Sequence, residues 1–254
     1  MKLLMVGSVS LCALVGTLVG LKLLGIAART RKLPELAVGT GLFAYAAVSQ
    51  PALLAQQALG EEASLALRMG VIGLRVLAFY VTLLSLSLFT WRVFGAESRW
   101  RLALAAGLAV AALISGGMSI RASWLLLSAG VPVPLHGRIG MSPHFVLTFG
   151  WVSVESLRYY FLMRKRRALG LADPVVTNRF FVWGTGEGVA SLVTMALLVA
   201  MTTRPGIVSA DPLVAWFVTL AGLVNALVWW LAFTPPQAYL RWVGGSAAEG
   251  IADR

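Results

Sequence analysis

Seven runs of apolar residues divide the chain, each about as long as the 20 residues that a helix needs to cross a bilayer. They cover residues 3–24, 36–54, 71–91, 102–120, 145–163, 180–201 and 213–233. Only helices and closed barrels satisfy all backbone polar groups in hydrocarbon, and runs of this length favour helices. The sequence therefore predicts an all-α, polytopic membrane protein with seven transmembrane helices.

Composition agrees with this prediction. The chain has 254 residues, of which 59% are hydrophobic and 12% charged, and its mean hydropathy is +0.83, which excludes an ordinary soluble domain. The formal charge of +11 lies in short clusters between the apolar runs rather than on one soluble face, so nucleic acid is not the expected partner. We expect a single seven-helix domain over residues 1–254, with an interfacial or disordered tail at 237–254.

The positions of the cations predict the orientation. Basic clusters follow the first, third and fifth apolar runs, whereas the alternate loops carry scattered charges. The clusters comprise Arg29, Arg31 and Lys32, then Arg92, Arg99 and Arg101, then Arg164, Lys165, Arg166, Arg167 and Arg179. Because positive loops stay in the cytoplasm, the N-terminus is expected outside and the C-terminus inside. A bacterial-type plasma (inner) membrane is the expected location.

Two short motifs occur twice in the same order. A Gly-Thr-Gly motif begins the second helix at 39–41 and the sixth at 184–186, and a Val-Thr-Leu motif occurs in the third helix at 81–83 and the seventh at 218–220. With the fourth helix as a linker, the chain resembles in plan the three-plus-one-plus-three arrangement of parallel-repeat transporters of the SWEET type. These residues are common in membrane helices, so chance similarity is the alternative.

Two carboxylates lie inside the apolar runs. Glu155 and Glu187 stand about 12 to 13 Å from the predicted cytoplasmic ends of their helices, and a charge at such depth costs about 2.5–3.5 kcal/mol on the insertion scale. Polar groups on other helices fall near the same depth. The predicted ligand or proton pocket consists of Glu187, Glu155, Asn225, Ser85, Thr194 and Tyr45.

Helical spacing gives these groups a direction. Trp183, Glu187, Ser191 and Thr194 fall on one stripe, which is expected to face the interior of the bundle. Gly184 and Gly188 form a Gly-x-x-x-Gly pair that lets a neighbouring helix approach closely.

A structural explanation stays open for each charged group. Glu155 can pair with Arg158 three residues later, and Glu187 can bond another helix instead of a ligand. Arg75 can extend its side chain to the membrane surface.

Other chemistry is weakly represented. His136 and His144 have no further His, Cys or carboxylate near them in the sequence, so neither a metal site nor another cofactor is expected. No Ser, His and Asp converge on a hydrolytic triad, which makes an enzyme the third choice. The basic run of the fifth loop is expected to contact anionic lipid headgroups or a protein partner; its residues are Arg164, Lys165, Arg166 and Arg167.

Two functions are consistent with this pattern. The leading hypothesis is a small-solute or proton-linked transporter or binding protein whose central polar pocket includes a titratable Glu187. The alternative is a seven-helix sensor or scaffold that signals through a separate cytoplasmic protein docked on the basic loops. The expected partners are membrane lipid, a small-molecule ligand, and either a cytoplasmic protein or further copies of the chain.

Overall fold

The computed structural model describes residues 2–60, 62–131, 139–140, 142–203 and 212–244, and these form helices and short connections with no strand among them. The helices are α1 (Lys2–Thr30), α2 (Leu33–Phe43), a π-helical segment (Ala44–Ser49), α3 (Gln50–Ala58), α4 (Leu65–Phe94), α5 (Arg99–Ala129), α6 (Ser142–Ala168), α7 (Pro174–Thr203), α8 (Pro212–Phe233) and α9 (Gln237–Gly244). The predicted all-helical class is confirmed. His136 and the last ten residues of the predicted tail lie outside the described residues.

Five helices are long and apolar enough to cross a membrane: Val6–Thr30, Leu33–Ala58, Leu65–Phe94, Arg99–Ala129 and Pro174–Ala200. They are compatible with an integral membrane protein. The other two predicted spans lie in α8, whose described apolar part is Thr219–Phe233, and in α6, whose hydropathy is lowered by serines, threonine, Glu155 and Arg158.

The helix that covers Leu33–Ala58 is irregular in its middle. Pro51 has no backbone N–H, and its ring crowds the carbonyl four residues earlier, at Ala47. The chain responds with the π-helical segment just before the proline. This wider turn brings Tyr45, Ser49 and Gln50 to one cavity, described below.

Local sequence fixes where the helices begin and end. Asp173 accepts hydrogen bonds at Oδ1 from the backbone N–H groups of Val175 (2.6 Å) and Val176 (3.1 Å), and Pro174 provides the first residue of α7. At the end of α5, Gly130 takes a φ of 64°, which glycine adopts without strain. The described connections at 31–32, 95–98 and 169–173 are therefore short.

Six helical segments form a closed ring of neighbours. In order around this six-helix ring, α1 packs on α2, α2 on α4, α4 on α6, α6 on α7, α7 on α8 and α8 on α1. Lys22 donates from Nζ to the carbonyl oxygen of Phe233 at 3.2 Å, which joins α1 to the end of α8. Helix α5 packs outside the ring on α4 and α6, and only 17% of its most apolar 18-residue stretch is buried.

The ring has two ends. The basic end holds the connections at 31–32, 95–98 and 169–173, and the opposite end holds the described residues 59–60, 62–64 and 130–131.

Small residues bring two pairs of helices into close contact in the same way. A Cβ on Gly39 of α2 would lie 3.0 Å from the backbone nitrogen of Leu24 in α1, and a Cβ on Gly184 of α7 would lie 3.1 Å from that of Leu157 in α6. Close approach of this kind drives helix association where lipid removes the hydrophobic incentive.

One helical turn further along, the backbones of α1 and α2, and those of α6 and α7, are again in close contact. Gly20 of α1 would place a Cβ 2.9 Å from the backbone nitrogen of Phe43. In the other crossing, Ser153 Oγ donates to the carbonyl oxygen of Gly184 at 2.7 Å, and the expected close approach at Gly184 and Gly188 is present.

We expect Gly20→Ala to destabilise the fold by about 1–3 kcal/mol, because the added methyl group meets backbone atoms that cannot move aside. Gly117→Ala is the matched control, since a Cβ at Gly117 of α5 meets nothing within 4 Å. Thermal unfolding of the purified protein in detergent measures both. Equal melting temperatures for the two variants would contradict this view of the α1–α2 crossing.

Candidate functional site

A cavity of about 210 Å³ opens between four segments of the ring. It is lined by aromatic, hydroxyl and amide side chains and by one cation: Tyr45, Ser49, Gln50, Leu53, Arg75, Phe79, Ser142, Phe145 and Thr194. These residues come from the later half of the irregular second span, the first halves of α4 and α6, and the later half of α7. The cavity therefore lies toward the opposite end of the ring.

Arg75 is the charged group of this cavity. It lies ten residues into α4, about 15 Å along the helix axis from Leu65, and its side chain is half-buried. Its Nη1 donates to Oε1 of Gln56 at 2.7 Å. Within the described residues, both recorded ion pairs belong to Glu155, so no carboxylate pairs with Arg75 there.

An aromatic layer forms the floor of the cavity. The ring centroid of Phe79 lies 6.1 Å from Tyr45 and 5.5 Å from Phe145, and Phe145 stacks on Phe149 at 3.8 Å. Tyr45 also meets Trp229 of α8 edge-on, with centroids 5.9 Å apart. These five rings come from four parts of the bundle, the second span, α4, α6 and α8, and three of them, Tyr45, Phe79 and Phe145, line the cavity.

Glu187 lies behind this aromatic layer. It is fully buried, and its Oε1 accepts a long hydrogen bond from Nε1 of Trp229 at 3.4 Å. Its Oε2 is buried and has no hydrogen-bond partner among the described residues. Cys12 and Tyr45 are near enough to interact with it electrostatically. Glu187 is a neighbour of the cavity floor and is not one of the residues that line the cavity.

Glu155 occupies a different place. Its Oε1 lies 2.9 Å from Nη2 of Arg101, and its Oε2 lies 3.6 Å from Nη1 of Arg158, the partner expected from the sequence. Arg101 also donates from Nη1 to the carbonyl oxygen of Phe94 at 2.8 Å. A Cβ on Gly95 would overlap the Arg101 side chain. Glu155 therefore ties α6 to the start of α5 and the end of α4.

The two carboxyl groups lie on different sides of the α6–α7 crossing. Gly184 contacts Leu157 there, while Glu155 turns to α5 and Glu187 turns to α8. Similar depth along neighbouring helices does not place two side chains in one pocket, because helices present each residue on a particular face.

The structure brings together some of the predicted pocket residues. Tyr45 and Thr194 line the cavity, and Glu187 lies one layer behind it. Ser85 is buried at the α2–α4 contact, where its Cβ would lie 3.3 Å from a Cβ on Gly41. Asn225 is half-buried on α8, one turn before Trp229.

Sequence reasoning gave too little weight to several site residues. Arg75 was open to a surface-directed interpretation, and Gln56, its hydrogen-bond acceptor, was not singled out. Trp229, which is buried and donates a hydrogen bond to Glu187, was not singled out as a site residue either. A cation inside an apolar run, opposite a helix interrupted by Pro51, is the sequence signal that could have indicated the cavity. The inward stripe on α7 is confirmed for Trp183, Glu187 and Ser191, which are buried.

The basic run at the end of α6 is exposed. Beside it, a cleft of about 220 Å³ is lined by Tyr160, Arg167, Thr177, Asn178, Trp242 and Val243. Helix α9 packs on α7 here, and Nδ2 of Asn178 donates to the hydroxyl of Tyr239. Part of the predicted interfacial tail is thus helical and docked.

The described residues hold no group of three or more His, Cys, Asp or Glu side chains arranged to bind a metal. Comparison of the chain with the known protein families, with curated proteins and with solved structures finds no match. The chemistry of the cavity and of the two carboxyl groups therefore carries the functional argument.

We expect Glu155→Gln to lower stability by about 3 kcal/mol, because removing one charge of a buried pair strands Arg101. Arg158→Gln is the control. Its side chain is 71% exposed, so the loss should stay below about 1 kcal/mol. Chemical or thermal unfolding in detergent ranks the two variants. The interpretation is wrong if the control is the more damaging change.

Proposed function

We propose that this protein is an integral membrane transporter for small solutes, linked to proton movement. The observation that carries the proposal is the cavity, which lies inside a closed ring of apolar helices and is lined by polar groups and a cation. Polar and ionisable groups are rare inside membrane bundles and mark solute or ion pathways. Transporters built from helix bundles likewise bind their solutes in polar sites between the helices.

Seven spans complete the proposed topology. Helix α6 has 27 residues and α8 has 22, which is long enough to cross the bilayer. Both are members of the ring, so each presents its polar residues to neighbouring helices. The basic end is cytoplasmic, with the N-terminus outside and the C-terminus inside, as in bacterial-type plasma membranes. The cavity then faces the outside.

Two repeats of three helices support the same interpretation. The α1–α2 and α6–α7 crossings match in detail: Gly39 meets Leu24 as Gly184 meets Leu157. Helix α5, outside the ring, is the linker. The Gly-Thr-Gly motif keeps its register in both halves.

The Val-Thr-Leu motif does not keep its register. Gly41 meets Ser85 on the third span, and Gly186 meets Val228 on the seventh. If these crossings correspond, Thr82 matches Asn225 and not the threonine of the second motif copy. The contacts made by the glycines therefore support the repeat. The repetition of the Val-Thr-Leu motif is then a coincidence.

The arrangement suits alternating access. A solute enters the cavity from outside and rests on the aromatic layer of Tyr45, Phe79 and Phe145. Passage to the cytoplasm requires this layer to part. Because Trp229 bonds Glu187 and packs on Tyr45, the same movement admits water to Glu187. Proton exchange at Glu187 is thereby coupled to opening.

Reporter fusions test the topology. A fusion after Ala168 should report a cytoplasmic location, and a fusion after Gly130 should report an external one, because α5 and α6 lead to opposite ends. Fusions that report the same side for both sites would contradict the seven-span proposal.

A flux assay tests the function. Purified protein in liposomes should take up small solutes, and a proton gradient should change the rate. Glu187→Gln keeps the hydrogen-bond acceptor for Trp229 and cannot exchange a proton, so uptake should lose its dependence on the proton gradient while the melting temperature stays close to that of the unmodified protein.

Glu97→Gln is the matched control, since it removes an exposed carboxylate near the basic end. The control should keep the gradient dependence. If Glu187→Gln behaves like the control, Glu187 has a packing role and the proton link fails. If a broad panel of anions, amino acids, sugars and cations shows no uptake, transport itself fails.

A sensor or scaffold is the second candidate function, favoured by the cleft at the basic end. Arg167, Tyr160 and Trp242 line a recess beside the docked α9, where a cytoplasmic protein could bind. A stoichiometric partner that co-purifies and is lost on deletion of α9, together with absence of flux, would favour this function over transport.

A further inference from the structure

Arg75 lacks a negative partner in the described part of the chain. Its guanidinium has five N–H donors, and the one hydrogen bond that the structure records for it goes to Oε1 of Gln56. An amide oxygen is neutral, so it leaves the charge of Arg75 uncompensated. A cation at this depth in an apolar bundle is costly unless an anion accompanies it.

The other residues that line the cavity indicate the charge and polarity of the ligand that would fit it. Among the described residues that line the cavity, Arg75 is the one with a charge. Leu53, Phe79 and Phe145 supply apolar surface, and hydroxyl or amide groups come from Tyr45, Ser49, Gln50, Ser142 and Thr194. Most of the exposed lining area is nevertheless apolar. A dianion would require a second cation, and a cationic solute would lie beside Arg75. One negative charge on an apolar body fits this lining.

Size narrows the choice further. The cavity measures about 210 Å³, and three rings of the aromatic layer, Tyr45, Phe79 and Phe145, line it. An enclosed apolar cavity of about 150 Å³ holds one benzene ring. A carboxylate on a single ring or a short branched chain would therefore fill this cavity, whereas a long acyl chain would not.

We propose that the cavity is a binding site for a small, apolar monocarboxylate held by Arg75. The planar guanidinium matches the two oxygens of a carboxylate, Gln56 fixes the side-chain position, and Phe79 and Phe145 contact the apolar body. This inference rests on the proposed transport function for its biological role. The binding itself does not depend on transport.

Binding of benzoate to the purified, unmodified protein at neutral pH tests the charge. Benzamide has nearly the same shape without the charge, and benzylamine carries the opposite charge. Calorimetry should detect benzoate and find at least about tenfold weaker binding for the other two, the difference expected for a charge-assisted hydrogen bond. Equal binding of benzoate and benzamide would overturn the proposal.

The variant Arg75→Gln tests the anchor. This variant should bind benzoate at least about tenfold more weakly than the unmodified protein. The affinity of Arg75→Lys should lie between those of the unmodified protein and Arg75→Gln, because lysine keeps the charge and loses the paired donors. Arg68→Gln is the control, since Arg68 lies two turns earlier on α4 and does not line the cavity. Unchanged affinity in Arg75→Gln, or loss in Arg68→Gln of the same size, would overturn the assignment.

Decanoate separates a dissolved acid from a lipid-derived one. Weaker binding of decanoate than of benzoate fits the volume of the cavity, about 210 Å³. Tighter binding would assign the carboxylate to a lipid chain and overturn the small-solute form of the proposal.

Uptake assays keep this inference separate from the proposed function. Benzoate binding without uptake of any solute would leave the carboxylate site standing and remove the transporter. Uptake of neutral or cationic solutes without benzoate binding would leave the transporter standing and remove the carboxylate site.

Discussion

Close contact between helices is the constraint on which the rest of this structure depends. Inside a bilayer the lipid tails are as apolar as leucine, so association rests on van der Waals packing and on a few hydrogen bonds. Gly39 and Gly184 allow a neighbouring backbone to approach, and the Ser153 hydroxyl adds a hydrogen bond across α6 and α7. The six-helix ring follows from these contacts, and the ring encloses the cavity.

Once the helices are fixed, the polar side chains differ in how well they are satisfied. Glu155 has two cations, one of which also bonds the end of α4. Among the described residues, Glu187 accepts one long hydrogen bond, from Trp229, and Arg75 donates one to Gln56. A fully paired buried group stabilises a fold, whereas a buried group with few hydrogen bonds can still form a strong one with a ligand. This contrast separates the structural carboxyl group from the functional candidates.

The sequence predicted the helices and their inward faces because both follow from the spacing of neighbouring residues along an α-helix. The stripe with Trp183 and Glu187 is an example. Partners could not be predicted, because they depend on which helix lies next to which. Arg101 reaches Glu155 across from α5, and nothing in the spacing of either helix indicates that contact. Depth along the axis gave a common level for the two glutamates, but the α6–α7 crossing turns them to opposite sides.

Under the proposed repeat, the buried polar pair of Glu187 and Trp229 belongs to the second half of the ring and has an apolar counterpart in the first. If Gly41 and Ser85 correspond to Gly186 and Val228, the following residues correspond as well, so Leu42 matches Glu187 and Leu86 matches Trp229. The two leucines are buried, as are the acid and the indole. Under this correspondence, the first half has two buried leucines at the positions where the second half has a hydrogen-bonded polar pair.

In the proposed transporter, this difference places the carboxyl group that exchanges a proton, Glu187, in the second half, at a position that a leucine holds in the first half. The first half supplies Arg75 to the cavity, and the second half supplies Glu187 beside Trp229. Solute binding and proton exchange in the proposed transporter therefore rest on different halves of the ring.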